Sequence, residues 1–293
     1  MDAARERLLS IRATKIYTTF QPAELNELYV ELKAYLCLED TQLSEISYLF
    51  LMEMLFYVEV YLSKDIEAEV IYNTLRDEFG EHAPSLYVMK ATLLQINESD
   101  QKSIEYINRL FQERLEFDTD SNSYLVLQKK LLSMQLATEK KEAILKKVLS
   151  LSEIFPMDPE LWWFIGEIYM KFGKFDEAAF SFEEVILLQP FNYVAFVQIA
   201  ETLYYKANRL ADKLESEERK TILQNALNNA LRSVELNELF LKGWSMVAVI
   251  ANSLDEKEDI LTLSHSKLNE IVESKNTSTI DKNTARLIIS RTK

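Results

Sequence analysis

Apolar residues recur along this chain at offsets of three and four, the period of an α-helix with one buried face. The pattern is sharpest over residues 159–192. Trp162, Ile165, Gly166 and Tyr169 share one face of a predicted first helix, and Ala178, Phe182 and Val185 form the facing stripe of a second. A glycine on such a face lets the partner helix approach the backbone closely. Gly173 in Lys171-Phe172-Gly173-Lys174 suits the turn between them, Asp158 suits an N-cap ahead of Pro159, and Pro190 stops the second helix.

Trp162, Ile165, Gly166, Tyr169, Ala178, Phe182, Val185 and Pro190 occupy positions four, seven, eight, eleven, twenty, twenty-four, twenty-seven and thirty-two of a 34-residue period, the tetratricopeptide (TPR) spacing. Neighbouring units repeat the pattern with decay. A unit from Leu125 has Leu131, Leu132, Val148 and Pro156 in frame but Gln128 at position four. A unit from Tyr193 carries Phe196, Ile199, Ala200 and Leu203. Its second helix arrives late, so 207–220 is expected to extend the hairpin. Another from Leu241 carries Trp244, Val247, Ala248 and Ala251. Upstream, units start at Leu49 and, more loosely, at Pro84. The expected fold is therefore all-α, a right-handed solenoid of helical hairpins. Five to six repeats would span 49–275, with a helical cap over 1–48 and a solvated basic tail over 276–293.

Composition narrows the function. Four glycines and one cysteine, Cys37, among 293 residues leave no phosphate-cradling loop, disulfide framework or cysteine metal site. The two histidines, His82 and His265, lie in different repeats, away from any ligand cluster. No enzyme, cofactor or metal is expected. A net charge of −14 argues against nucleic acid and anionic lipid and suits basic protein segments. The most apolar window, residues 43–62, approaches the length of a membrane span but holds Glu45, Glu53 and Glu59. An acidic residue at mid-span costs about 2.5–3.5 kcal/mol, so a buried helix in a soluble chain is expected.

Binding is expected on the concave face lined by first helices, at positions that hairpin packing does not use. The candidates are Lys129, Trp163, Glu167, Met170, Val197, Glu201, Tyr204 and Tyr205. The structural core of the repeats is expected to contain Trp162, Gly166, Tyr169, Ala178, Phe182, Pro190 and Trp244. Trp163 stands beside a tryptophan that already fills the core position, so it needs another partner, either the neighbouring repeat or a bound segment. Aromatics alternating with glutamates suit an amphipathic or extended segment with basic residues. A TPR co-chaperone adaptor is the alternative. Its carboxylate clamp would place asparagines where Ser133 and Phe164 stand and basic residues where Val194 and Val197 stand.

Over about residues 65–250 the chain resembles the subunit 2 family of the endoplasmic reticulum membrane protein complex. The resemblance rests on Asp158-Pro159-Glu160-Leu161-Trp162, Gly166-Glu167-Ile168-Tyr169 and the run Phe175 to Glu184. It also rests on the late hairpin that ends in Ala230-Leu231-Arg232-Ser233-Val234-Glu235-Leu236-Asn237. It implies a non-enzymatic scaffold on the cytosolic face of that membrane, peripheral through its partners. Such a subunit belongs to a hetero-oligomer that inserts tail-anchored and multipass membrane proteins. The implied partners are the other subunits, notably the cytosolic tail of subunit 5 in the groove.

Overall fold

The computed structural model describes residues 2–38, 40–136, 138–209, 216–254, 257–274 and 277–292. Among these are fifteen α-helices and no strand. The chain divides into two compact units, Met1–Glu139 and Lys140–Lys293.

In the first unit, α1 (Asp2–Thr14), a short 3-10 helix (Ile16–Thr19) and α2 (Pro22–Leu36) precede α3 (Glu45–Tyr61), α4 (Asp65–Phe79), α5 (Pro84–Asn97), α6 (Asp100–Glu113) and α7 (Asn122–Gln135). Local chemistry sets the starts. Ser44, Ser99 and Ser121 each accept a hydrogen bond from the backbone N–H three residues on, and Pro22 and Pro84 open their helices. Helix α3 is covered on two sides. Leu51, Met54, Leu55 and Val58 pack with Leu28 and Leu32 of α2, while Met52 and Phe56 pack with Ala68, Tyr72 and Met89. That double burial explains why its window is apolar nearly all round.

The second unit runs α8 (Lys141–Ile154), α9 (Pro159–Phe172), α10 (Phe175–Leu188), α11 (Tyr193–Arg209), α12 (Ser216–Leu236), α13 (Leu241–Ala251), α14 (Glu258–Glu273) and α15 (Thr279–Arg291). Hairpins α9–α10, α11–α12 and α13–α14 stack in order, α10 against α11 and α12 against α13. Small residues permit this close stacking: Ala200, Ala226, Ala230 and Ala248 are fully buried with Leu227 and Val247. In the best repeat, the Asp158 side chain accepts from Leu161 N–H at 2.9 Å, and Gly173 adopts φ 69° to end α9.

Two expectations change here, and a third falls partly outside the described residues. The segment expected as a solvated tail folds as α15, whose Ala285 is fully buried and whose Ile288 and Ile289 pack on the α12–α14 cluster. Its basic residues Lys282, Arg286 and Arg291 therefore decorate a docked amphipathic helix. Pro190 is exposed; it follows the end of α10 and packs no core. In the extension expected over 207–220, residues 207–209 continue α11 and 216–220 open α12, while 210–215 lie outside the described residues.

Candidate functional site

The candidate surface of the second unit rests on one contact layer. Ala178, Phe182 and Ile199 are buried together, with Trp163, Tyr169, Met170, Ile186 and Leu203 half-buried around them. The ring of Trp163 meets Phe182 edge-on, centroids 5.3 Å apart at 68°. This edge-to-face geometry is the favoured one for aromatic pairs. Trp163 thus has its partner inside the chain, and only its outer part remains for another molecule. Met170 sits in the same layer.

Trp162 takes a different place from the one expected. It is half-buried, its ring meets Phe180 edge-on at 6.1 Å, and its Nε1–H donates to the Pro156 carbonyl at 2.8 Å. It pins the turn between α8 and α9 instead of joining Gly166 and Phe182. The same bond recurs two hairpins later, where buried Trp244 donates from Nε1 to the Glu238 carbonyl at 2.7 Å. Both acceptors lie six residues before the indole. A tryptophan at repeat position four thus donates to a backbone carbonyl at the entry to the first helix.

On α11 the expected surface is partly used up. Val197 is fully buried, because α10, α12 and α13 all pack on α11. It cannot meet a partner. The Glu201 carboxylate accepts from Lys242 Nζ at 2.7 Å, and the same ammonium donates to Gln198 Oε1 at 2.9 Å. This network ties α11 to α13, so Glu201 is already engaged. Tyr204 is half-buried against the α12–α13 core. Tyr205 is 42% exposed with its ring edge-on to Tyr204 at 6.1 Å. Glu167 lies half-buried on α9.

Lys129 stands half-buried on α7 of the first unit. Its neighbour Lys130 donates to Gln95 Oε1 at 2.6 Å, and burial pushes its ammonium pKa down. What remains open on the second unit is Tyr205, the half-buried Glu167 and the outer edges of Trp163 and Tyr204: aromatic faces beside a carboxylate. The residues missed in the sequence are Gln198 and Lys242. Their signal was the repeat register, which sets position two of one unit opposite position nine of the unit before.

Among the described residues, no three His, Cys, Asp or Glu side chains gather as metal ligands. His265 Nε2 pairs with Thr292 Oγ1 at 2.7 Å and His82 Nε2 with Arg114 at 3.2 Å, in separate units. No helix among the described residues is long and apolar enough to cross a membrane.

Stacked hairpins with the glycine, alanine and aromatic positions in frame define a tetratricopeptide-repeat protein, and the Tetratricopeptide repeat model matches residues 159–192. Over 294 residues, the chain is 45% identical to ER membrane protein complex subunit 2 of Saccharomyces cerevisiae, covering 99% of each. It is 23% identical over 224 residues to TPR repeat protein oca3 of Schizosaccharomyces pombe, covering 76% of this chain and 71% of that one. Among solved structures, Pseudomonas aeruginosa pilF superposes with a TM-score of 0.52 at 10% identity. It covers 80% of this chain and 95% of its own, a likeness of fold alone. The chain belongs to the ER membrane protein complex subunit 2 family.

Proposed function

We propose that the chain is a non-catalytic scaffold on the cytosolic face of the endoplasmic reticulum membrane. It holds cytosolic segments of the complex's membrane subunits, the tail of subunit 5 among them, and so supports insertion of tail-anchored and multipass membrane proteins. The single observation that carries this reading is the 45% identity to ER membrane protein complex subunit 2 across 99% of both chains. A chain whose described residues include no membrane-crossing helix would reach the membrane through such partners. The surface in view is the strip of Tyr205, Glu167 and the outer edge of Trp163. Aromatic anchors there would bury apolar side chains of the held segment, and Glu167 would orient its basic residues.

Purification of the tagged chain in mild detergent tests this. Integral membrane subunits of the complex are expected to co-purify, and Tyr205→Ala and Glu167→Lys are expected to reduce their recovery about tenfold without lowering the melting temperature. Recovery of a chaperone alone would favour the co-chaperone adaptor instead. Recovery of no stable partner would overturn both readings.

A further inference from the structure

The first unit carries a feature that the scaffold reading does not use. Between the end of α2, the start of α3 and the end of α4 lies an open cavity of about 380 Å³. Leu36 and Tyr48, both half-buried, form apolar wall, and Leu38 and Phe79 stand at its rim, 54% and 46% exposed. Large apolar side chains exposed around a concavity mark a recognition site more often than ones scattered singly.

Three carboxylates share the lining: Asp40, Glu45 and Glu78. Asp40 is held ionised. The Tyr35 hydroxyl donates to it at 2.6 Å, the Gln42 amide at 3.0 Å and Arg5 at 3.2 Å, and these bonds, the one from Tyr35 first, lower its carboxyl pKa. Glu78 stands in the last turn of α4, where the carbonyl ends already carry partial negative charge. Arg76, the nearby cation on that turn, is engaged by Asp77 at 2.8 Å. A carboxylate at this end of a helix lowers helix stability, so folding does not account for Glu78. A cation arriving from outside would meet both the carboxylates and the helix end.

We propose that this cavity docks a segment of another protein, seating one apolar side chain against Leu36, Tyr48 and Phe79 while a lysine or arginine beside that anchor meets Glu78 and Glu45. Charge complementarity selects this occupant. Anionic lipid and nucleic acid would face Glu45 and Glu78, with Asp40 already met by Arg5, and a second copy of a chain with net charge −14 would bring more negative charge.

A photo-reactive phenylalanine analogue at position 79 of the full chain, irradiated in cells, tests the proposal; the same analogue at position 171, exposed on α9 one turn after Glu167, reports on the surface of the second unit without removing Glu167. At 79, the expected adduct is a protein peptide in which mass spectrometry finds an apolar residue with Lys or Arg within about two positions. Glu78→Lys is expected to cut that yield at least fivefold, and Leu38→Ser likewise. The yield at 171 should be unaffected by Glu78→Lys and the melting temperature should not fall, since a cation suits the end of α4. No protein adduct at 79, an adduct to lipid or to a second copy, or a yield insensitive to Glu78→Lys would overturn the proposal. Loss at 171 with the adduct at 79 intact would count against the scaffold reading instead.

Discussion

The ring of Phe182 lies directly on the backbone of Gly166: a Cβ at that position would stand 2.8 Å from Phe182 Cε1. Phe182 is fully buried and also meets the ring of Trp163 edge-to-face, which limits its room to retreat. Gly166→Ala gains helix propensity worth about 1 kcal/mol, set against an overpacking cost of about 1–3 kcal/mol. A net loss of stability is expected, larger for Gly166→Val. Phe182→Ala should cost about 3–5 kcal/mol. A denaturation series on the three variants checks the order; an alanine at 166 that raises the melting temperature would contradict the packing.

The adjacent tryptophans should separate in such measurements. Trp163→Ala removes half-buried surface and the edge contact on Phe182, so about 2 kcal/mol is expected, below a full core truncation. Trp162→Phe keeps a ring near Phe180 and loses only the bond to Pro156, about 1 kcal/mol at an exposed site. Trp244→Phe leaves the Glu238 carbonyl short of its donor at a buried site and should cost more than Trp162→Phe. Equal losses at 162 and 244 would sink the burial difference.

Glu201 and Lys242 link neighbouring first helices, with side chains 22% and 42% exposed. Solvent screens such a pair, so its coupling should be below about 1 kcal/mol. Glu201→Lys is expected to destabilise modestly at low salt, and the swap Glu201→Lys with Lys242→Glu to recover most of that. A double-mutant cycle with zero coupling would show that the ion pair contributes nothing.

Glu59 is 1% exposed on α3, and its Oε2 has no hydrogen-bond partner among the described residues. Burial raises its pKa from 4.5 to about 7; Lys33 of α2 and Lys64 before α4 oppose the rise, and Glu67 of α4 adds to it. With the folded pKa above the unfolded one, the folded state holds more protons between pH 4.5 and about 7. Stability from this group is therefore greatest at acid pH, falls as pH rises through that window, and levels off above it. Glu59→Gln should remove this component, so its stabilisation relative to wild type should grow from pH 5 to pH 8. A pH-independent difference would show that Glu59 titrates normally.

The hairpin of α9 and α10 was legible in the sequence because its signals are local: the Asp158 cap, the Gly173 turn and the offsets from Ile165 to Val185. The burial of Val197 was not. Repeat positions state which residues face the hairpin's own partner helix, whereas Val197 is covered because further helices stack on α11. Trp162 and Trp163 differ by about 100° around the helix axis, and both faces accept a tryptophan. Only the Pro156 carbonyl and the Phe182 ring assign them. The docking of α15 escaped for a related reason: Ala285, Ile288 and Ile289 make a short apolar stripe among charges, and its covering surface comes from α13 and α14, outside its own sequence window.

Fractionation of cells with and without the membrane subunits tests most directly whether the chain reaches the membrane by holding their cytosolic segments. With the membrane subunits present, the chain is expected in the membrane fraction and released by alkaline carbonate. When subunit 5 and the other membrane partners are deleted, it is expected in the soluble fraction. Carbonate-resistant membrane association of the chain in cells lacking those partners would contradict the account.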